Sequence, residues 1–323
     1  MIPLNRNGWI RNCFQRKVRR LESKLTILGC GSAAPSLLRA NTAQILEMAG
    51  KVILIDCGEG TQWQMLKRKI SAFKIDIIFI SHLHGDHYLG LPGLLNTLSL
   101  YGRQKPLKIF GPKGIKSLLF HNFKEAEIFP NYKVSVIEIN AKKKRKIFNE
   151  EELSVIAIPL QHRVPCYGYH FEQNHNSLKI NKEKCDNASL GFDAIKEFKN
   201  ANDIVSGGIK YSYKDYTSPY HFRKTYTFIT DTLFLPQLAS VFSETDILYH
   251  ESTYLNILLD KAITTFHSTA LQAAEMAKLC NARLLILGHF SSRYPHTDEL
   301  LAEARTIFPN TELAEDGKVF TMK

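Results

Sequence analysis

The residues best suited to chemistry lie in one short segment, Ser81-His-Leu-His-Gly-Asp-His87. It follows the largely apolar run 76–80, which is typical of a short buried strand. A glycine-containing turn at a strand end lets neighbouring imidazoles converge, whereas residues within a strand point to alternate faces. Imidazole and carboxylate together suit a borderline cation such as zinc. The segment therefore predicts a metal centre with His82, His84, Asp86 and His87 as ligands.

Three further ligand candidates each follow an apolar run that is typical of a strand. His162 follows residues 156–161, Asp231 follows 226–230, and His289 follows 284–288. Any one of them alone could equally be a capped or solvated residue. Their repeated placement just past a strand favours ligands, because four neighbouring residues cannot fill two zinc coordination shells.

Composition narrows the class of protein. The net charge of +11 and pI near 9.2 favour an acidic partner. Hydrophobic residues make up 44% and charged residues 23% of the 323 residues, as in ordinary globular proteins. No apolar run approaches the roughly 20 residues that span a bilayer, so we expect no membrane partner. The six cysteines are scattered without a Cys-x-x-Cys pair, which favours reduced thiols and a cytoplasmic protein.

Two segments carry much of the basic excess. Residues 1–24 hold seven basic side chains against the single acid Glu22, and we expect residues 1–23 to be a disordered basic extension. An over-long start or, less favoured, a targeting peptide are the alternatives for this segment. The second cluster is Lys142-Lys-Lys-Arg-Lys146 in a predicted loop. This cluster is either a solvated charge run or a binding surface for an acidic partner.

The order of apolar runs and amphipathic segments predicts an α/β domain over residues 24–323, with two β-sheets sandwiched between helical layers. Strands are predicted at 25–30, 43–48, 51–55, 76–80, 107–110, 133–139, 153–159, 226–230, 246–249 and 283–287. Helices are predicted at 62–69, 89–101, 268–280 and 297–307, with Ser268 or Thr269 as the cap of the third. The pattern fails between about 171 and 225, which predicts an inserted arm.

These motifs resemble those of the metallo-β-lactamase superfamily, whose His-x-His-x-Asp-His signature is met by residues 82–87. Within it, the chain from Leu25 onward resembles the tRNase Z (ribonuclease Z) family, which trims the 3′ end of precursor tRNA. The opening segments 29–35 and 55–61 match that family. The discriminating segments are His250-Glu-Ser-Thr253 and His267-Ser-Thr269, which are similar to its HEAT and HST motifs. The resemblance implies a metallo-β-lactamase αβ/βα sandwich.

The resemblance also implies two Zn²⁺ ions per subunit. The first would be bound by His82, His84, His162 and Asp231. The second would be bound by Asp86, His87, His289 and the bridging Asp231. A shared carboxylate suits two cations held a few ångströms apart, because it reduces their repulsion.

The same resemblance assigns the catalytic roles. Asp86 would accept the proton of the attacking water, and His267 would protonate the ribose 3′-oxygen that leaves. Glu251 would orient His267, in the manner of a triad carboxylate. The alternative for His267 is a merely structural place in the helix cap. The expected products are a 3′-hydroxyl on the tRNA and a 5′-phosphate on the trailer.

Contacts with the substrate are expected at His250, Ser268, Thr269 and Arg293, although His250 could instead stand behind the ligands. The arm departs from the family pattern, because it lacks a Gly-Pro-rich element and has nine basic residues against seven acids. Its aromatic residues could stack on RNA bases or pack a small core of their own; they are Tyr211, Tyr213, Tyr216, Tyr220 and His221. A homodimer and precursor tRNA are the partners that the resemblance implies.

Two other functions compete with the tRNA endonuclease. One is a metallo-β-lactamase-fold phosphodiesterase or arylsulfatase-like hydrolase of small esters. The other is an RNA-binding protein with a vestigial metal site, which the intact set of seven ligands disfavours. The motifs at His250-Glu251 and His267-Ser-Thr269, together with the arm, favour the nuclease over the small-ester hydrolase.

Overall fold

The computed structural model describes residues 23–322. The predicted basic extension therefore lies outside the described residues, except for Ser23, which is the first residue of β1. The strands, numbered along the chain, are β1 Ser23–Gly29, β2 Ala43–Met48, β3 Lys51–Cys57, β4 Ile77–Phe79, β5 Leu107–Pro112, β6 Val134–Ile139, β7 Arg145–Glu150, β8 Leu153–Leu160, β9 Cys166–Ile180, β10 Ile204–Ser206, β11 Ile209–Tyr211, β12 Thr217–Ile229, β13 Ile247–Glu251, β14 Leu284–Gly288, β15 Thr311–Leu313 and β16 Val319–Met322.

Fourteen of these strands form two seven-stranded mixed sheets, which confirms the predicted pair of sheets, and β10 pairs with β11 in a small third sheet. The first has the order β16-β1-β2-β3-β4-β5-β6 and the second the order β15-β14-β13-β12-β9-β8-β7. Strands β3 to β6 are mutually parallel, and so are β12 to β15. Since parallel strands end at the same edge of a sheet, residues that follow them along the chain meet there.

Ten helices are present in the described residues, numbered along the chain. They are α1 Thr61–Lys67, α2 Gly85–Tyr88, α3 Gly90–Leu100, α4 Ile115–Glu125, α5 Lys182–Asn187, α6 Phe192–Lys199, α7 Tyr213–Tyr216, α8 Leu259–Thr265, α9 Ala270–Leu279 and α10 Asp298–Arg305. Short 3₁₀ helices occur at Ala72–Lys74, Pro236–Val241 and Asn256–Leu258. No helix in the 23–322 range is long and apolar enough to cross a membrane.

Both faces of the sheets are covered, and β3 shows how the sequence achieves this. Ile53 and Ile55 pack into the larger core, whereas the intervening Leu54 packs into the second core with residues of α1, α3 and α4. Successive side chains of a strand point to opposite faces, so a strand buried on both sides is continuously apolar. The apolar runs of the sequence therefore locate the strands well.

Two local predictions differ from the structure. Helix α4 was not predicted, because it buries only a narrow stripe, Ile115, Leu119 and Phe123, at a spacing of four residues. The basic cluster is only partly a loop, since Arg145 and Lys146 begin β7. There Arg145 pairs with Ala157 of β8, and backbone pairing overrides the polar sequence.

The predicted arm is a compact unit, Gln173–Lys224. Its small core consists of Cys185, Leu190 and Phe198. Tyr211, Tyr213 and Tyr216 pack against this core, whereas Tyr220 is 42% exposed. The aromatic residues are therefore divided, and most of them serve the core of the arm itself. The polar start of the arm, as far as Ile180, belongs to strand β9.

Candidate metal centre

The turn between β4 and α2, which we call the ligand turn, leads into the predicted ligands. Hydrogen bonds to its first residue, Ser81, hold it in place. The backbone N–H of Ser81 donates to Oδ1 of Asp56 at 2.7 Å, and its carbonyl accepts from the backbone N–H of Tyr167 at 3.0 Å. The side chains of His82 and His87 are fully buried. With both backbone groups of Ser81 bonded to other strands, the histidines that follow are held in place.

A first group of ligand atoms consists of three imidazoles and one carboxylate. Nδ1 of His84 lies 3.0 Å from Nε2 of His82 and 3.2 Å from Nε2 of His162. Oδ2 of Asp231 lies 3.7 Å from Nε2 of His82 and 3.8 Å from Nε2 of His162. The four ligand atoms all lie within 4.8 Å of one another.

A second group adjoins the first. Nε2 of His87 lies 3.3 Å from Nε2 of His289 and 3.4 Å from Oδ2 of Asp86, and the last two atoms are 3.5 Å apart. Oδ1 of Asp231 lies 3.3 Å from Nε2 of His87 and 3.1 Å from Nε2 of His289. The two oxygens of Asp231 thus face different groups, which is the arrangement of a bridging carboxylate.

These separations fit two tetrahedral metal sites. Zinc–ligand bonds of about 2.0–2.1 Å place the ligand atoms about 3.3 Å apart around a tetrahedron. The observed distances of 3.0–3.8 Å scatter around that value. Converging imidazole nitrogens and carboxylate oxygens can offer lone pairs to a single cation. Together with the fold, the cluster indicates a metal-binding site.

The charges of the carboxylates also fit a cation. Burial alone would raise the pKa of Asp231, but the imidazoles of His289 and His87 outweigh it and hold the pKa well below its usual range. The pKa of Asp86 is likewise lowered, because His87 and His289 outweigh its burial. Both carboxylates are therefore ionised in the interior, where an unpaired charge is costly.

The imidazoles of the first group remain neutral. Burial lowers the pKa of His82 well below its usual value, and it lowers the pKa values of His84 and His162 in the same direction. A neutral imidazole has a free lone pair, which is the form that binds a metal. Nδ1 of His162 is 3.0 Å from the carbonyl of Phe266, which leaves Nε2 for the cluster.

The three distant ligand candidates lie where the apolar runs place them. His162 follows β8, Asp231 follows β12, and His289 follows β14. His289 has a φ of 58°, which is unusual for a residue other than glycine. Its backbone carbonyl accepts from Oγ1 of Thr253 at 3.1 Å. Backbone strain of this kind is typical of functional sites.

Asp56 belongs to the site, although the sequence analysis did not name it as a functional residue. Its carboxylate is fully buried and accepts from the backbone and hydroxyl of Ser81 at 2.7 and 2.8 Å. Oδ2 also lies 2.7 Å from Nδ1 of His87. A carboxylate behind a ligating histidine selects the tautomer and orients the ring. Its placement directly after the apolar run 51–55 is the signal that could have revealed it.

A second buried carboxylate contacts the predicted general acid. Oε1 of Glu251 lies 3.0 Å from Nδ1 of His267. Burial opposes a charge on this imidazole, but the carboxylate outweighs it and raises the pKa of His267 to about 9. Asp231, His267 and His289 have possible ligand atoms within 4.8 Å of one another. His267 therefore lies beside the proposed metal ligands. It is protonated at neutral pH and therefore able to donate a proton.

A cavity of about 360 Å³ opens onto the cluster. His84, Asp86, His162, Asp231, His267 and His289 line it, and so do Arg163 and Arg293. The guanidinium of Arg293 lies 5.0 Å from the centre of the Tyr254 ring, and its Nε donates to Oγ of Ser291 at 2.9 Å. Arg293 is thus the one predicted substrate contact that reaches this cavity.

The other three predicted substrate contacts lie outside the cavity lining. His250 is fully buried, and its Nδ1 is 2.7 Å from the next backbone carbonyl. The buried hydroxyl of Ser268 donates to the carbonyl of Thr232 at 2.8 Å. Buried Thr269 caps α9 in a capping box with Gln272, as its position predicts. These side chains are bonded within the protein interior in this structure, and their contact with the substrate stays a prediction.

The sequence profile of the family described as Anti-Pycsar protein Apyc1 matches residues 23–178. Ribonuclease Z of Bacteroides fragilis is 37% identical over 295 residues, which cover 91% of this chain and 97% of that protein.

Among solved structures, the short form of human tRNase Z aligns with a TM-score of 0.68 at 28% identity, covering 93% of this chain and 99% of that one. The metallo-β-lactamase fold protein YhfI of Bacillus subtilis aligns with a TM-score of 0.65 at 18% identity. The alignment covers 93% of this chain and 99% of that one. At that identity YhfI supports the fold alone. The predicted metallo-β-lactamase sandwich is thereby confirmed, and the chain belongs to the ribonuclease Z family of endoribonucleases.

Proposed function

We propose that this protein is a zinc-dependent endoribonuclease that removes the 3′ trailer from precursor tRNA just after the discriminator nucleotide. The observation that carries the proposal is the pairing of two ligand groups around Asp231 with a protonated imidazole, His267, beside them. A metal pair and an acid are what cleavage of a phosphodiester with a poor leaving group requires.

The first zinc ion would be held by His82, His84, His162 and Asp231, and the second by Asp86, His87, His289 and Asp231. When bound, two Zn²⁺ ions per subunit would lower the pKa of a water molecule towards about 7 and neutralise charge on the phosphoryl oxygens.

The chain's own residues would direct the protons. Oδ2 of Asp86 faces His87 and His289 and accepts the backbone N–H of Ala33 at 2.7 Å. Oδ1 would then accept the proton of the attacking water. His267 would donate a proton to the departing 3′-oxygen, while Glu251 holds its other nitrogen. The products would be a 3′-hydroxyl on the tRNA and a 5′-phosphate on the trailer.

The proposed substrate is supported by the curated relative named ribonuclease Z and by the structure named human tRNase Z. Arg163 and Arg293 place two cations in the cavity lining, where a phosphate would bind. In the arm, Tyr220 is exposed enough to stack on a base. We further propose a homodimer and a cytoplasmic location, on the family resemblance.

The runner-up is hydrolysis of small phosphodiesters or sulfate esters. The metal cluster alone would serve either reaction, because both need an activated water. His267 favours the nuclease over hydrolysis of aryl esters, since an aryl leaving group departs without a proton whereas a ribose alkoxide does not.

The test is to incubate the purified protein with end-labelled precursor tRNA and with bis(p-nitrophenyl) phosphate, each with and without a chelator. We expect a single chelator-sensitive cut after the discriminator. Hydrolysis of the small ester without cleavage of precursor tRNA would overturn the proposal. The Asp86→Ala variant should lose cleavage, and full activity in that variant would refute the assignment of the site.

A further inference from the structure

The basic cluster of the sequence is not part of the metal centre and has no role in the reaction described so far. Lys142, Lys143 and Lys144 form the turn between β6 and β7, and all three side chains are exposed. Across residues 23–322, none of the three takes part in an ion pair. Unpaired like charges side by side repel one another, so an anionic ligand would stabilise the turn.

The turn lies at the same edge of the sheet as the metal ligands. Phe79 of β4 pairs with Phe110 of β5, which pairs with Ile137 of β6, and all three strands are parallel. The ligand turn follows β4 and the basic turn follows β6. Because neighbouring strands are about 4.8 Å apart, the two turns leave the sheet about 10 Å from each other.

One buried side chain links the two turns. The backbone N–H of Tyr167 donates to the carbonyl of Ser81, directly before the first ligand. The hydroxyl of Tyr167 donates to the carbonyl of Ile139 at 3.3 Å and accepts the backbone N–H of Ala141 at 3.2 Å. The separation between the metal centre and the basic turn is therefore set by a packed aromatic residue.

Two further cations are exposed, one in the cavity lining and one directly after β5, the strand between β4 and β6. Arg163 is exposed and lines the cavity. Lys113 is exposed directly after β5, and the neighbouring Gly114 packs on Leu83 of the ligand turn, since a Cβ there would lie 3.5 Å from Leu83 Cδ1. We call Arg163, Lys113 and Lys142–Lys144 the basic edge.

We propose that the basic edge binds the phosphodiester backbone of the RNA substrate outside the cavity, an inference that rests on the proposed function. A polynucleotide that leaves the cavity has a phosphate on every nucleotide, so it would offer anions at successive points along this edge. Exposed lysines bind phosphates as point charges without reading bases. The phosphates could belong to the trailer or to the body of the tRNA.

The test compares two triple variants that each remove three positive charges. Lys142→Gln/Lys143→Gln/Lys144→Gln removes the basic turn. The control, Lys69→Gln/Lys74→Gln/Lys133→Gln, removes three exposed lysines at the opposite edge, where β4 and β6 begin. For each protein, kcat/KM is measured against salt concentration on two precursors, one with a long trailer and one with a short trailer.

We expect the slope of log kcat/KM against log salt concentration to be shallower by about 2 in the basic-turn variant. Each lost phosphate contact reduces the steepness of this slope by about 0.7–0.9. At about 0.1 M salt its kcat/KM should fall about 10- to 100-fold, while the control keeps the slope of the unmodified protein. A fall in kcat/KM on the long-trailer precursor alone assigns the contact to the trailer. A fall on both precursors assigns it to the tRNA body.

Equal slopes for both variants on both precursors would overturn this inference alone. Failure of the unmodified protein to cleave either precursor would overturn the proposed function and this inference together. Circular dichroism of each variant checks that the fold is intact, which the exposure of all six lysines leads us to expect.

Discussion

Nδ1 of His267 lies 3.0 Å from Oε1 of Glu251, and this carboxylate is completely buried. His267 precedes α9, whereas Glu251 ends β13. Oε1 of Glu251 also accepts the backbone N–H of Thr232 at 2.8 Å, and Oε2 accepts the hydroxyl of Thr253. The carboxylate is thus fixed, and it sets the charge and the orientation of the imidazole.

Replacing Glu251 should change the pH dependence of cleavage. The pKa of His267 is raised to about 9 by Glu251 against the effect of burial. In Glu251→Gln, His267 stays buried but loses the neighbouring negative charge, so its pKa falls. The imidazole then loses its proton at a lower pH. The alkaline limb of the pH–rate profile should move to lower pH, with a rate loss of about tenfold or more at pH 8 and recovery in acid. An unchanged alkaline limb would argue against His267 as the acid.

Asp56→Asn should weaken metal binding without unfolding the protein. Asn fits the φ of 54° at this position, because asparagine tolerates the left-handed region. It loses the charge that orients His87, for which we expect a drop in metal affinity of about 10- to 100-fold. Competition with a metal-binding dye measures this affinity. Wild-type affinity in the variant would show that the contact between Asp56 and His87 does not support the metal.

Removal of metal should lower thermal stability. Asp86 and Asp231 are ionised in the interior, so the metal-free protein retains negative charge that the cations would neutralise. Metal at about 1,000 times its Kd stabilises the fold by about 4 kcal/mol. Calorimetry with chelator, and again after zinc is restored, should show a reversible fall in Tm. The prediction fails if metal measured in the protein is removed and the Tm stays constant.

Gly288→Ala should disturb both the core and the ligand that follows it. A Cβ at Gly288 would lie 2.1 Å from the hydroxyl of Tyr249, whose ring is buried and cannot move freely. We expect a loss of about 1–3 kcal/mol in the free energy of unfolding, with weaker metal binding through a shift of His289.

The matched control is Gly191→Ala, since a Cβ there meets nothing within 4 Å and φ is −81°. Urea denaturation of both variants measures the difference. Equal stability of the two variants would contradict the predicted clash.

The elements that support the site could be predicted largely from local sequence. Strands β3, β4 and β14 and the last five residues of β12 are buried almost throughout, and their sequences are largely apolar. A ligand candidate that directly follows such a run lies at a sheet edge whatever the rest of the fold does. Helix α4 could not be predicted in this way, because its three buried residues form a stripe too narrow to give a clear helical pattern.

The sequence by itself determined the kinds of ligand, the strand ends that present them and, through its motifs, the family. Only the tertiary structure decided which oxygen of Asp231 faces which group, that Asp56 supports His87, and that His250 is buried away from the cavity. The reason is physical. Strand ends follow from local burial patterns, whereas hydrogen-bond partners and exposure depend on packing between residues distant in sequence.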